Sequence, residues 1–405
     1  VGERFDGNNF CQEALKKGAG VVTTIPDFIC SYEGTVIFVN DSLKALQDTA
    51  HYVRKKRNIP VMAITGSNGK TTTKEMTYQI LCQKHRVLKN EGNLNNHIGV
   101  PLTLLKLMPE HQYAVVEFGM NSPGEIRRLS EIALPDCGVI TNIGAAHIGE
   151  LGSLKAIRNA KMELLEKIPL AVLNQDDIFL MEGAAGFKGK VVTFSILRES
   201  AVRAQNINVS EKGAYFKIRF PDDEISVSLS VYGKFNIYNA LAAAALCYAG
   251  GIQVLDIKAG LESYKGFPMR FEIIRKGGVT FINDAYNANP RSVDESLKEL
   301  LRFRPQRRLI AVFGDMLELG VYAEEAHLLI AHKVESSGVD LFIAVGEMMC
   351  SAARTLTKIE VKCFSDSSEA GVSLKELIRT GDTVLFKGSR GMKIEKALNE
   401  ALHAL

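Results

Sequence analysis

Long apolar runs are missing from this sequence. No stretch reaches the roughly 18 residues that a membrane-spanning helix needs, so no transmembrane segment is predicted. The first residues show no signal-peptide pattern. Charge of one sign is scarce too. The formal net charge is +3, too small to argue for a nucleic-acid partner or an acidic membrane surface. Clustered cysteine is also absent. The seven cysteines (Cys11, Cys30, Cys82, Cys137, Cys247, Cys350, Cys363) lie far apart, none in C-x-x-C or at a zinc spacing. Such a set predicts reduced thiols in a cytoplasmic enzyme. No internal repeat or low-complexity tract stands out.

What remains is an ordinary globular composition. The 405 residues are 46% hydrophobic and 23% charged, which predicts two to three domains with sizeable cores. The chain opens on Val1-Gly2-Glu3-Arg4, and the segment ahead of the first strand–helix series is short for a domain. Part of an N-terminal domain is therefore expected to be absent.

From Val61 the pattern alternates strand and helix. "PVMAIT" (60–65), "YAVVEFG" (113–119) and "CGVITNIG" (137–144) read as buried strands, and "KTTTKEMTYQILCQK" as a helix. Apolar runs punctuated by helices predict an α/β fold with a parallel sheet covered on both faces. "AYFKIRF" and "ISVSLSVYG" alternate with period two, as antiparallel strands do. "NIYNALAAAALCYAGG" reads as a buried helix ended by Gly250-Gly251. A second series, "VTFIND", "RLIAVFGD", "LFIAVGE" and "DTVLFKGSRG", predicts another doubly wound domain beyond a linker near Gly266-Phe267-Pro268.

The segment "AITGSNGKTTTKEM" (63–76) resembles a phosphate loop, G-x-x-x-x-G-K-[ST], whose first glycine is replaced by Ile64. Such a loop needs backbone N–H groups on phosphate oxygens, a lysine on the outer phosphates and a hydroxyl for Mg²⁺. Gly66, Gly69, Lys70 and Thr71 can supply all three; the alternative is an ordinary glycine turn. Glu117 ends an apolar strand, at the sheet edge where α/β proteins bind ligands, and is a natural Mg²⁺ ligand or else a solvated residue leaving the sheet. His147 follows another strand, in "NIGAAHIGELGS", and is a loop histidine by default. Lys161 is the sharpest local anomaly. Ser153 is a plausible N-cap, and Leu154, Ile157, Leu164, Leu165 and Ile168 make an apolar stripe that includes position 161. Either its stem snorkels, or the lysine is desolvated, with a lowered pKa and a more nucleophilic amine.

Taken together, "TGSNGKTTTKEM", "EGNLNNHIGVPLTLL", "VVEFGMNSPGEI", "GKFNIYNALAAAA", "FPMRFE", "INDAYNANPRSV", "GDMLELG" and "KGSRGM" resemble the Mur ligases over nearly the whole chain, a family whose loop lacks the first glycine. "GNLNNHIGVP", "DAYNANP" and "GDMLELG" are similar to the members that add D-Ala-D-Ala to a UDP-N-acetylmuramoyl-tripeptide. The resemblance implies three domains: residues 1–59 as the remainder of a UDP-substrate domain, 60–266 as a central ATP-binding domain, and 267–405 as a Rossmann-like domain for the incoming dipeptide. It implies a bacterial, cytoplasmic, monomeric, ATP-dependent amide ligase of peptidoglycan precursor synthesis, working through an acyl phosphate.

By the same resemblance, Gly66, Ser67, Asn68, Gly69, Lys70, Thr71 and Thr72 hold the ATP phosphates. Thr71, Glu117, His147 and a carbamylated Lys161 organise Mg²⁺. Asn236 and Asn239 face the adenine; Arg270 and Asp284 close over the nucleotide. Asn93, Asn95 and Asn96 lie along the muramoyl peptide. Asn287, Asn289, Asp315, Glu318 and His327 are further substrate candidates. One departure is Phe235, where the family often has histidine, which keeps a flat ring but loses a polar handle. Another is that "GERFDGNNF" matches a stretch well inside the uridine-binding domain, so an incomplete uridine site is expected. The rival readings are a Mur-type ligase with another amine partner (diamino-acid-adding, or folylpolyglutamate synthase-like), a P-loop kinase or nucleotide switch, and a non-catalytic scaffold.

Overall fold

The computed structural model describes residues 6–29, 31–146, 148–304 and 307–403. Three sheets organise them. A small parallel pair joins β1 (Val21–Thr23) to β2 (Val36–Phe38). The nine-stranded sheet contains β3 (Val61–Thr65), β4 (Val87–Lys89), β5 (Tyr113–Glu117), β6 (Cys137–Ile140), β7 (Leu170–Asn174), β8 (Lys190–Ser195), β9 (Val202–Ser210), β10 (Gly213–Arg219) and β11 (Glu224–Leu229). The six-stranded sheet contains β12 (Glu272–Lys276), β13 (Val279–Asp284), β14 (Leu309–Gly314), β15 (Leu341–Val345), β16 (Glu360–Phe364) and β17 (Thr383–Lys387).

The nine-stranded order is β11-β10-β9-β8-β7-β6-β3-β5-β4, parallel from β9 to β4 and antiparallel across β9, β10 and β11. The period-two segments thus extend the parallel sheet rather than forming a separate one. The apolar run of β3 still alternates: Met62 and Ile64 enter the core on one face, Val61 and Ala63 that on the other. A sheet covered on both sides selects such uninterrupted runs. Strand β3 lies between β6 and β5, where the strand order reverses, so its C-terminal end opens on the crevice that binds ligands in open α/β sheets.

Helix α1 (Lys70–Leu81) leaves that crevice. Helix α2 (Leu154–Met162) starts at Ser153, whose hydroxyl accepts from Ala156 N, and runs on as a 3₁₀ turn, Glu163–Glu166. Helix α3 (Lys234–Ala249) is apolar on nearly every side because it is enclosed by α1 and the sheet, and it ends at Gly250-Gly251 as expected. The six-stranded order is β12-β13-β17-β14-β15-β16, with only β12 antiparallel. Helices α4 (Pro290–Leu300), α5 (Ala323–Ser337) and α6 (Glu347–Ala353) cover one face with a core that includes Phe313, Phe342 and Leu385.

The six described cysteines are all free. Among the described residues no helix is long and apolar enough to cross a membrane.

Candidate active site

The phosphate loop forms without its first glycine because two other glycines take backbone angles open to few residues. Gly66 has φ 147° and Gly69 φ 82°. Neither has room for a side chain: a Cβ would lie 1.9 Å from Thr141 Oγ1 at Gly66 and 2.1 Å from Asn239 Oδ1 at Gly69. Strand ends brace the loop. Asn142 Oδ1 accepts from Asn68 N at 3.0 Å, Thr141 Oγ1 donates to Asn68 O at 2.6 Å, and Ser67 Oγ both donates to Gly144 O and accepts from Gly144 N. Helix α1 has no side-chain cap, so its first N–H groups face the loop's concavity, where an anion is stabilised. Lys70 Nζ is folded onto Gly66 O (2.9 Å) and Ser67 O (3.2 Å). Thr72 is buried in the first turn of α1.

Glu117 is 2% exposed, which removes the solvated alternative. Asn95 Nδ2 donates to its Oε1 at 2.8 Å, while Oε2 is buried without a hydrogen-bond partner. Asn90, fully buried, pins the loop beside it: its Oδ1 accepts from Glu117 N and its Nδ2 donates to Leu94 O and Glu117 O. Lys74, also fully buried, donates to Asn90 O at 2.7 Å. Asn93 and Asn96 are exposed, and Asn96 Oδ1 receives Ile98 N and Gly99 N.

Lys161 does not snorkel. It is 2% exposed, and among the described residues no acceptor or carboxylate pairs with its ammonium. Desolvation holds its pKa well below the lysine norm, and Lys70 pushes it in the same direction. The apolar stripe is shorter than expected: Leu154 is 43% exposed, while Ile157, Leu164, Leu165 and Ile168 are buried. Lys70 is also shifted down, by desolvation first, with Glu117 opposing and Arg270 adding to the shift. His147 lies outside the described residues.

The six-stranded sheet sends its own groups across. Arg270 Nη2 donates to Thr71 Oγ1 at 3.3 Å, and its guanidinium lies 3.9 Å from the Tyr286 ring centroid. Its Nε is buried without a partner. Met269 and Phe271 on either side have φ 60° and 53°, a local strain held by packing that aims Arg270 at the loop. Asn289 caps α4 and reaches Asn68 Oδ1 at 2.8 Å; Arg291 reaches Ile143 O at 3.1 Å. Asn236 Nδ2 donates to Tyr232 O, and Asn239 Nδ2 to Asn236 Oδ1. Phe235, in place of a polar ring, packs edge-on against Phe271 at 5.3 Å.

Several candidates are committed elsewhere. Asp284 accepts from Ser296 Oγ (2.6 Å), Lys387 Nζ (2.5 Å) and Phe271 N (3.2 Å), so it holds the backbone next to Arg270. Asp315 Oδ1 accepts from Met349 N in the first turn of α6. His327 is 1% exposed and uses both ring nitrogens, Nε2 accepting from Met316 N and Nδ1 donating to Ala323 O, which makes it an internal brace. Glu318 meets the first unit through its carbonyl, which accepts from Gly149 N at 3.0 Å. Asn287 is exposed and folds its Oδ1 back on Ala288 N. Asn90, Lys74, Asn142, Tyr286 and Lys387 were missed by sequence reasoning. The available signal was a polar residue at the C-terminal end of a buried strand, as at Asn142 and Lys387.

Three buried atoms in this crevice therefore lack partners: Glu117 Oε2, Arg270 Nε and Asn68 Nδ2. One acceptor for a hard cation and two donors for an anion fit a nucleotide with Mg²⁺. No cluster of three His, Cys, Asp or Glu side chains suited to a metal occurs among the described residues.

The closed arrangement also rests on a backbone contact. A Cβ on Gly149 would lie 2.5 Å from Gly320 N and 2.7 Å from Leu319 C, and Tyr322 Oη donates to Gly152 O. Gly149 lies in a short helix and has no positive φ, so alanine suits its own backbone. Gly149→Ala is expected to keep the melting temperature while ligation falls about tenfold, as closing loops and lids set many turnover rates. Small-angle scattering should show the variant failing to compact with nucleotide and substrates. Compaction and turnover equal to the parent would remove the contact from the closing step.

Comparison with known proteins adds independent findings. A family model described as the Mur ligase middle domain matches residues 64–247, and one described as the Mur ligase, glutamate ligase domain matches residues 269–390. The chain is 34% identical over 416 residues to a UDP-N-acetylmuramoyl-tripeptide–D-alanyl-D-alanine ligase of Bacillus subtilis, covering 100% of this chain and 89% of the relative. A crystal structure of MurF from Acinetobacter baumannii superposes with a TM-score of 0.92 at 35% identity, over 100% of this chain and 89% of that one. MurF of Thermotoga maritima in complex with ADP gives a TM-score of 0.89 at 28% identity, over 100% and 93%.

Proposed function

Since the chain belongs to the Mur ligase family, we propose that it is the ATP-dependent ligase that joins D-Ala-D-Ala to UDP-N-acetylmuramoyl-tripeptide, in the cytoplasm, as a step of peptidoglycan precursor synthesis. One observation carries the reading: Lys70 lies within electrostatic reach of Glu117, of Lys161 and of Arg270 from the other unit, and Glu117 keeps one buried oxygen unpartnered. A carboxylate that must approach a γ-phosphate needs converging positive charge.

The division into residues 1–59, 60–266 and 267–405 is part of this proposal, supported by the three separate sheets. The loop N–H groups of residues 66–71 hold the outer phosphates. Lys70 leaves the Gly66 and Ser67 carbonyls for the phosphates, and Arg270 supplies the second charge. The substrate carboxylate oxygen bonds the γ-phosphorus and ADP departs. The dipeptide amine then bonds the acyl carbon, the phosphate leaves with its bridging oxygen, and the amine loses its proton. Glu117 and Thr71 would hold Mg²⁺, which neutralises charge between the outer phosphates. Lys161 is proposed to be carbamylated and, with His147, to position that ion. Asn95 orients Glu117. Asn93 and Asn96 border the peptide path, and Asn236 and Asn239 the nucleotide base. Asn287 is exposed at the mouth of the crevice, whereas Asp284, Asp315 and His327 act by holding its walls.

The test is ADP release measured with each substrate omitted in turn. Release should require both UDP-tripeptide and D-Ala-D-Ala, and the product mass should equal their sum less one water. Hydrolysis indifferent to both would favour a nucleotide switch. Incorporation of a free diamino acid instead would move the chain to another branch of the family.

A further inference from the structure

Helix α3 carries Asn236 and Asn239 toward the phosphate loop, yet its start is poorly finished. The N-cap is Gly233, at φ 101°, with no side-chain hydrogen bond to the first turn. Four N–H groups at a helix start need partners, and a side chain from the preceding residue normally supplies one. Here the partner comes from the other unit. Lys234 N donates at 3.1 Å to Glu299 Oε1, on α4 of the six-stranded sheet. Glu299 is 4% exposed. Its second oxygen lies 2.9 Å from Arg302 Nε without a hydrogen bond, and burial raises its carboxyl pKa against the opposing pull of Lys234 N and Arg302. Around this contact, Tyr232 stacks on Phe271 at 5.6 Å and 10°, and packs against Phe303 at 5.1 Å. Phe271 directly follows Arg270.

We infer that Glu299 is a positioning residue for the nucleotide: it caps, across the boundary between the two units, the helix that presents Asn236 and Asn239, so that the cap exists only while the units are closed. The inference rests on the nucleotide reading above. Asn239 Oδ1 leans directly on Gly69, and Asn236 holds Asn239. A shift at the start of α3 is therefore felt at the loop. If the units separate, Glu299 and Lys234 N are both returned to water, and α3 loses the Glu299 carboxyl at the positive end of its dipole. Nucleotide affinity and closure are thereby linked through one hydrogen bond.

The experiment measures binding of a fluorescent ADP analogue and steady-state ligation for the parent, Glu299→Ala, Glu299→Gln and Glu299→Asp. A lost cap corresponds to roughly a fivefold to tenfold change. Glu299→Ala should raise the ADP dissociation constant and the KM for ATP by about that factor. Its kcat at saturating ATP and its KM for D-Ala-D-Ala should stay within about twofold. Glu299→Gln keeps an acceptor and should recover much of the loss; Glu299→Asp, shorter by one methylene, should fall between and serves as the reading if the alanine variant does not fold. ADP affinity unchanged in these variants would overturn the inference. So would equal damage to ATP, dipeptide and kcat without recovery in Glu299→Gln, since that is what simple loosening predicts. A parent protein that binds ADP but ligates nothing would remove the ligase reading, while the ADP affinities would still decide the cap.

Discussion

Lys70→Ala should lower ligation by at least about a thousandfold, with the fold intact. The lysine sits at the start of α1, in the concavity of the loop, and its ammonium lies on two loop carbonyls, placed to swing to the outer phosphates. Desolvation already pushes its pKa down, so its charge is costly in the folded protein without a nucleotide and is repaid by one. A preorganised cation in a dry crevice stabilises developing phosphoryl charge far more than it could in water. Removing it also removes an unfavourable charge beside Lys161 and Arg270, so the variant's melting temperature should hold or rise. ADP-release assays and circular dichroism check both halves. Turnover within about tenfold of the parent would refute the assignment of Lys70 to the phosphates.

Lys161 should matter nearly as much, for a different reason. It is buried, unpaired among the described residues and next to another cation. An ammonium there opposes folding. A neutral amine there can bond the carbon of CO₂ and release one N–H proton to solvent, becoming a carbamate whose negative oxygens would suit the surroundings of Lys70, Arg270 and Mg²⁺. Lys161→Ala is expected to lose about a hundredfold or more in activity, with partial rescue by short carboxylates. Electron density near neutral pH with bicarbonate should show the adduct. An unmodified amine together with full activity in CO₂-depleted buffer would sink the idea.

Stability gives a separate reading of Lys161. Its folded pKa is depressed, so between that value and the unfolded value of 10.5 the unfolded chain binds more protons. Stability therefore rises with pH through this window, and the cost of the lysine is complete once the pH is below its folded pKa. Lys161→Met should stabilise the unmodified protein by roughly 1–3 kcal/mol at low pH. The gain should vanish above about pH 10.5. Denaturant melts at several pH values measure this without any activity assay.

The two lysines were legible in the sequence because their signals are local. Gly66 and Gly69 bracket a turn between an apolar strand and a helix, and only glycine suits those angles and that lack of room. Lys161 breaks an apolar stripe at helical spacing, and helical geometry alone places it on the inner face. The buried strands followed from the same short-range rules.

What the tertiary structure decided is which distant groups meet. Arg270 lies 199 residues from Thr71, and Asn289 lies 221 from Asn68. Glu299 finishes a helix that begins 65 residues earlier. No periodicity spans such separations; they arise because two independently wound sheets close on each other. The same cause gives Asp284, Asp315 and His327 internal partners that the sequence does not show. Polar residues at strand ends look alike in a sequence, whether they face a ligand or brace a neighbour. Their hydrogen bonds to Lys387, Met349 and Met316 are made only when the chain returns from elsewhere. Local chemistry determined what this protein can hold; long-range packing decided which side chains are free to hold it.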